Sequence, residues 1–207
     1  MFNSPQAVAD RLQIQPTTKV LDLGGTAQPF AFGDVTLVDI VAPPTSSRAR
    51  FVKLDLCRQT LPFKDREFDV CIASHILEDL YNPFICLDEI RRVASRGYIE
   101  TPHRGREVSL TQGSGHGVPG WGHHRWSFED AGPGRFRVIA KTWHLVRDDA
   151  LKVARWRGPD CFGFFWDGSY SYEVLNTLDE HGDHWERLVQ EHNEFVRQNA
   201  QHVELAR

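Results

Sequence analysis

Short apolar, β-branched runs recur through the first half of the chain, at Lys19 to Leu23, Val35 to Asp39, Phe51 to Leu54, Phe68 to Ala73 and Gly97 to Glu100. Each is nearly continuous in hydrophobicity and does not alternate. That is the pattern of strands covered on both faces, so the runs predict a parallel α/β sheet. Between the fourth and fifth runs Asn82 can cap a helix, Pro83 suits its first position, and Phe84, Leu87, Ile90 and Val93 make an apolar stripe. Pro5 to Leu12 also has helical character and is placed to cover one edge of the sheet.

The first crossover breaks this regularity. About a dozen residues separate Gly24 from Val35, Pro29 and Gly33 among them, and a helix of several turns hardly fits. A shortened or irregular connection is expected. From 105 to 134 the chain is glycine-rich, with Gly113, Gly115, Gly117, Gly120 and Gly122 close to Trp121 and Trp126, and reads as an inserted functional loop. Phe136 to Val146 and Leu151 to Trp156 flank Arg147 to Ala150, an antiparallel hairpin pattern that would add edge strands to the sheet. The aromatic segment Cys161 to Tyr172 suggests another hairpin. Asp183 to Leu205 predicts a polar terminal helix with Trp185, Leu188, Val189 and Phe195 on its buried side. The expected organisation is one domain over 1–157, with a C-terminal hairpin and helix extension over 158–207 packed on it.

Composition narrows the class. At 207 residues the chain can bury a substantial core without metals or disulfides, and a net charge of -4 argues against broad nucleic-acid binding. Arg91, Arg92, Arg96, Arg104 and Arg106 make a locally basic stretch, which is more often a solvated face than a site. Cys57, Cys71, Cys86 and Cys161 are widely spaced, as in reduced cytoplasmic usage. The N-terminus shows no signal-peptide pattern, and no stretch approaches the roughly 18 apolar residues of a membrane helix. A cytoplasmic protein without a membrane or nucleic-acid partner is expected.

The most informative chemistry lies at the strand ends. Val20-Leu-Asp-Leu-Gly-Gly-Thr-Ala27 is a strand running into a paired-glycine turn, and Asp39 closes the next strand. Glycine permits a sharp turn and a close approach of ligand to backbone, while a carboxylate at the second strand end can accept from two ribose hydroxyls. An ordinary strand-to-loop turn would also use a glycine pair. Asp39 favours a nucleoside-bearing cofactor.

In this order the elements resemble the class I S-adenosylmethionine-dependent methyltransferases, in particular the small type 11 methyltransferase domain. The resemblance rests on Val20-Leu-Asp-Leu-Gly-Gly, on Leu37-Val-Asp39, on Asp55 to Phe63 ending in Leu-Pro-Phe, and on Phe68 to Glu78 with its Ser-His-Ile-Leu-Glu. Leu87 to Val93 and Gly97 to Pro102 look like the next helix and the fifth strand, so it covers roughly residues 19 to 102. It implies a Rossmann-like, doubly wound, mostly parallel sheet with a C-terminal antiparallel hairpin. It implies S-adenosylmethionine as cofactor, with Asp22, Gly24 and Gly25 at its methionine part, Asp39 at the ribose, Asp55 and Leu56 at the adenine, and Ser74 and His75 beside the sulfonium. Three departures stand out: Thr26 where another glycine is common, Asp79 where the signature has a second histidine, and the short crossover, which in a related subgroup accompanies a pair like Pro29-Phe30.

Methyl transfer from a sulfonium is an in-line displacement, so alignment matters most and a base is needed only for some nucleophiles. His75 is the first candidate base, and His103, after the fifth strand with Glu100 to orient it, the second; each could equally serve to shape a loop. Arg104, His123, His124, Arg125 and Trp126 are candidates to wall an acceptor pocket. His116, His123 and His124 invite a metal, but there is no Cys-x-x-Cys or His-Glu-x-x-His spacing, and none is expected. Trp121, Trp126 and Trp143 line either an acceptor pocket or the core, and His181 and His184 read as solvent-facing.

The reading is therefore a methyltransferase acting on an oxygen or nitrogen of a small molecule, anionic or sugar-containing, with dimerisation through the terminal helix left open. A nicotinamide-dependent oxidoreductase would need glycines at 26 and 29, where the chain has Thr26 and Pro29. A catalytically inactive binding or scaffold protein on the same fold is the rival from another class.

Overall fold

The computed structural model describes residues 4–110, 119–141, 153–175 and 184–205. Its strands are β1 (Lys19–Leu23), β2 (Asp34–Asp39), β3 (Arg50–Lys53), β4 (Phe68–Ser74), β5 (Ala94–Pro102), β6 (Trp126–Asp130), β7 (Arg135–Ala140), β8 (Val153–Trp156), β9 (Cys161–Asp167), β10 (Ser171–Leu175) and β11 (Val203–Leu205). The helices are α1 (Pro5–Arg11), α2 (Pro83–Val93), α3 (Arg104–Glu107) and α4 (His184–Gln198). All five expected parallel strands form.

They build a six-stranded sheet in the order β3-β2-β1-β4-β5-β9. β1 runs parallel to β2 and β4, with Leu21 beside both Thr36 and Cys71, and β3 and β5 extend the parallel array on either side. Gly163 lies against Tyr98 while the Gly168 N–H donates to the Ser95 carbonyl, so β9 runs opposite to β5. Leu21, Leu23, Leu37, Val38, Val70, Cys71 and Ala73 are fully buried, as continuous apolar strands require. The result is the mostly parallel, helix-flanked sheet of a Rossmann-like fold.

Both helices packed on this sheet follow local rules. Ser4 Oγ accepts from the Ala7 N–H at 3.1 Å to start α1, and Asn82 Oδ1 accepts from the Phe84 N–H at 3.1 Å to start α2. α1 places Val8, Ala9 and Leu12 against Val20, Phe30, Val70, Ile72 and Tyr98, and α2 buries Cys86, Leu87, Ile90 and Val93. α1 closes with two backbone bonds, Gln13 N–H to Asp10 and Ile14 N–H to Ala9, and carries Gln13 in the left-handed region at φ 52°.

The first crossover is short, as expected. It holds one turn of 3-10 helix, Gly25–Ala27. Neither the connection from β2 to β3 nor that from β3 to β4 contains a helix, so only the β4–β5 crossover has the full helical form. Proline explains part of this: Pro43 and Pro44 interrupt the one and Pro62 the other.

The C-terminal strands pair differently from the expectation. β7, which begins the stretch expected to fold back on Leu151–Trp156, pairs instead with β6, Phe128 facing Val138, and β10 adds on its other side. Trp126 to Asp130, assigned to the glycine-rich loop, is therefore a strand. Its alternation of apolar and polar residues is short and was hidden by the glycines before it. β8 pairs antiparallel with β11. Cys161–Tyr172 is no hairpin, because β9 joins the large sheet and β10 the small one. The terminal helix ends at Gln198, and Val203–Leu205 is a strand. Phe195 is buried and Val189 partly so; Trp185 and Leu188 fall outside the described side chains.

The chain divides into two compact units. The first comprises the residues up to Thr101 and Gly163–Ser171, and so contains the large sheet with α1 and α2. The second comprises Pro102–Phe162 and the residues from Tyr172 onward.

Candidate functional site

In the first unit the glycine turn is set by packing on both sides. Gly24 lies at φ 74°, its N–H donates to the Val38 carbonyl at 2.9 Å, and a Cβ there would come within 2.7 Å of Ile76. A Cβ on Gly25 would lie 2.1 Å from an oxygen of the Asp22 carboxylate. Asp22 itself is 3% exposed and accepts from the Phe30 N–H at 2.8 Å. Burial raises its pKa to about 6, against the opposing effect of the Phe30 N–H and with a further push from Asp39. Thr26, in place of another glycine, donates from Oγ1 to the Val41 carbonyl at 2.8 Å and ties the turn to the chain beyond β2.

Asp39 ends β2 at the same edge, with Oδ1 accepting from the Val41 N–H at 3.1 Å. Ile40 and Val41, immediately after it, are 56% and 58% exposed. Asp55 follows β3, its Oδ1 accepting from the Cys57 N–H at 2.9 Å, while the Leu56 side chain is buried and offers a ligand only its backbone.

At the end of β4, Ser74 Oγ lies 3.2 Å from Glu100 Oε1, and His75 stands at φ 55°. A non-glycine residue held there marks a constrained strand end. The His75 ring lies between two buried carboxylates: Nδ1 is 3.2 Å from Glu78 Oε1 and Nε2 is 3.3 Å from Glu100 Oε1. Tyr98 donates its hydroxyl to the other oxygen of Glu100. Gly24-Gly25, Asp39, Asp55, Ser74 and His75 thus stand at the carboxyl ends of β1 to β4, the edge at which open α/β sheets take their ligands.

The remaining candidates belong to the second unit, where structural tasks occupy several of them. His103 Nδ1 accepts from the Gly105 N–H at 3.1 Å at the start of α3, and its ring stacks on Trp156 at 4.8 Å. Burial lowers its pKa to about 4, with Glu129 opposing and Arg104 and His202 adding. Arg104, 2% exposed, pairs with Glu129 at 2.6 Å and lies over Phe195. His124 contacts the buried Glu107 at 2.6 Å, which also takes the Lys141 ammonium at 2.7 Å. Trp126 is buried at the start of β6, whereas His123 and Arg125 are exposed. His116, Trp143 and His181 lie outside the described residues, as do the side-chain surroundings of His184.

Three features of the first unit were not anticipated. Ile40 and Val41, which follow the expected strand, are exposed apolar residues beside the Asp39 carboxylate. Glu78 was read as motif only, though its spacing of three from His75 is the signal for the contact. Arg92 was read as part of a basic run, yet it donates to the carbonyls of Leu61 at 3.0 Å and Phe63 at 2.7 Å and pairs with Glu89 and Asp65. Three of these partners, Leu61, Phe63 and Asp65, come from distant chain positions and are invisible to local pattern.

Residues 23–99 match a family model described as a methyltransferase domain. Among solved structures, the Burkholderia thailandensis 1,6-didemethyltoxoflavin-N1-methyltransferase, bound to 1,6-didemethyltoxoflavin and S-adenosylhomocysteine, is similar at 19% identity, covering 48% of this chain and 50% of that one with a TM-score of 0.39. Coclaurine N-methyltransferase bound to N-methylheliamine and S-adenosylhomocysteine is similar at 18% identity, over 48% and 35% of the two chains, TM-score 0.37. The [4+2]-cyclase SpnF is similar at 22% identity, over 46% and 42%, TM-score 0.37. This chain spans half or less of the length of these three. No curated protein sequence matches it significantly.

Proposed function

We propose that the chain is an S-adenosylmethionine-dependent methyltransferase that moves a methyl group to an oxygen or nitrogen of a small molecule. The observation that carries this reading is the convergence of Gly24-Gly25, Asp39 and His75 on one edge of a parallel sheet. The residues fit the cofactor. Asp39 keeps a carboxylate oxygen beyond the one bonded to Val41 for ribose hydroxyls, and the Ile40 and Val41 side chains offer an apolar surface of the kind an adenine covers. Asp55 and the Leu56 backbone are assigned to the adenine edge, Asp22, Gly24 and Gly25 to the methionine part, and Ser74 to the sulfonium side. When bound, the cofactor supplies a methyl group on a positively charged sulfur.

His75 is assigned as the proton acceptor. Glu78 and Glu100 stand beside its two ring nitrogens and fix the orientation of the ring at the end of β4. His103 is the weaker candidate, since its Nδ1 caps α3 and burial holds it neutral. Exposed Arg125 and His123 are retained as acceptor contacts. Arg104, His124 and Trp126 support the second unit from within, so an anionic or sugar-containing acceptor rests on Arg125 and His123 alone. Among the described residues no helix is long and apolar enough to cross a membrane. A cytoplasmic enzyme with a small-molecule acceptor and no nucleic-acid partner remains the proposed setting, and a homodimer through α4 a proposed assembly.

Calorimetric titration with S-adenosylmethionine and with NADH tests the cofactor, and release of S-adenosylhomocysteine over an acceptor panel tests the reaction. Binding of the first without the second nucleotide supports the proposal. Binding of neither would favour the scaffold reading.

A further inference from the structure

The first unit carries a second polar site at the opposite end of its sheet. Arg96 of β5 sits beside Val70, which sits beside Val20, so it lies near the amino ends of the strands, whereas Glu100 and Ser74 mark the carboxyl ends. Here Arg11, Gln13, Arg96, Phe165, Trp166 and Asp167 line a groove of about 330 Å³. Three separate elements, the end of α1, β5 and β9, bring these side chains together.

Charge bookkeeping singles the groove out. Three other arginines of this unit are engaged: Arg66 donates to the carbonyls of Ala94 and Gly168, Arg91 pairs with Asp88, and Arg92 with Glu89 and Asp65, whereas Arg50 on β3 is exposed to solvent and not at a groove with a second arginine. Among the described residues neither Arg11 nor Arg96 has an ion pair or a hydrogen-bonded acceptor. The Arg11 guanidinium carbon lies over the Phe165 ring, 3.9 Å from its centroid, a cation–π contact that uses no N–H donor on an acceptor atom. Arg96 Nε is buried without an acceptor, and so is Nε1 of Trp166. A buried charged donor without a partner is costly enough to call for an acceptor, and two guanidinium groups at one groove define an anion.

We propose that this groove binds an oxyanion, a phosphate or carboxylate group on a small molecule, through Arg11 and Arg96. Asp167 lines the same groove without pairing to either arginine, so the preferred ligand also carries a hydroxyl or amine donor next to its oxyanion. The site is separate from the cofactor edge and stands whether or not the chain transfers methyl groups.

The test is a heteronuclear NMR titration of the full chain, following the Nε–H signals of Arg96 and Trp166, with inorganic phosphate and with malonate, against sodium chloride at matched ionic strength. The expected result is saturable movement of both signals with a millimolar midpoint for at least one anion, weakened about tenfold by Arg96→Gln or by Arg11→Gln. Arg11→Gln, on an exposed helix end, keeps the test available should Arg96→Gln fail to fold. Arg48→Gln, away from the groove, leaves the titration unchanged. A response to phosphate alone assigns a phosphate ligand, and one to malonate alone a carboxylate. Movement no greater than chloride produces, or binding that survives both glutamine substitutions, overturns the proposal.

Discussion

The Asp22 carboxylate accepts the backbone N–H of Phe30 at 2.8 Å. This one bond ties the strand before the glycine turn to the crossover after it, in place of the helix that the short connection lacks. It also explains why Pro29-Phe30 suits the crossover: proline needs no acceptor of its own, and Phe30 buries its ring in the core while its N–H satisfies a buried carboxylate. Burying the carboxylate carries a cost, a raised pKa at Asp22 that the Phe30 N–H only partly offsets.

That cost makes a pH prediction. With a folded pKa of about 6 against an ordinary 3.8, Asp22 holds its proton longer folded than unfolded, so its contribution to stability falls as pH rises from about 4 to 6. His103 does the reverse: lowered to about 4 from 6.5, it makes the fold gain stability as pH rises through that window. The two slopes oppose. Asp22→Asn, which retains an acceptor for Phe30, should be more stable than the native chain at pH 8, by on the order of 2–3 kcal/mol. It should also gain stability steeply from pH 4 to 6.5, and His103→Asn should lose it over about pH 4 to 6. Urea unfolding across this range measures both, and variants with the native profile would refute the assignment.

Gln13 sits at φ 52° just past the end of α1, where glycine is the preferred residue. Gln13→Gly should stabilise the chain by about 0.5–1 kcal/mol, because relief of the left-handed strain exceeds the entropy glycine adds to the unfolded state. A thermal melt checks it. A fall in Tm would show that the Gln13 side chain contributes more than its backbone costs.

Arg92 fastens the chain between Asp55 and β4 onto α2 through the Leu61 and Phe63 carbonyls. Arg92→Lys should not rescue this, since a single ammonium cannot reproduce the fork that meets Glu89 bidentately. Both Arg92→Lys and Arg92→Met should lose about 1–3 kcal/mol of stability and weaken S-adenosylmethionine binding at Asp55. Equal affinity in the native chain and both variants would separate Arg92 from the adenine edge.

The sheet was legible because strands buried on both faces leave an unbroken apolar signal, as in Val70 to Ala73, and α2 because Asn82-Pro83 announces its start. The glycine turn and Asp39 were legible from spacing. What escaped depends on partners far away in the chain: β7 choosing β6, β8 choosing β11, and Arg104 turning to Glu129 and not to a ligand. His103 looked like a strand-end base because the donor its ring accepts from, the Gly105 N–H, belongs to a helix of only four residues that glycine concealed.

If His75 takes the proton, His75→Gln should lower kcat about 10²- to 10⁴-fold while leaving the S-adenosylmethionine affinity within a few fold. Glu78→Gln should lower kcat less than His75→Gln does, since the ring keeps Glu100 beside its other nitrogen. His103→Asn should keep its kcat. An unchanged rate in His75→Gln, with turnover in the native chain, would mean that alignment alone carries the reaction.

The central claim is that this edge of the sheet holds S-adenosylmethionine with Asp39 on its ribose. Isothermal titration of the native chain and of Asp39→Asn with S-adenosylmethionine tests it most directly. The expected result is one site in the native chain and an affinity about 10- to 100-fold weaker in the variant, the loss of hydrogen bonds to a charged acceptor. Equal affinity in the two proteins, or no binding by the native chain, would contradict it.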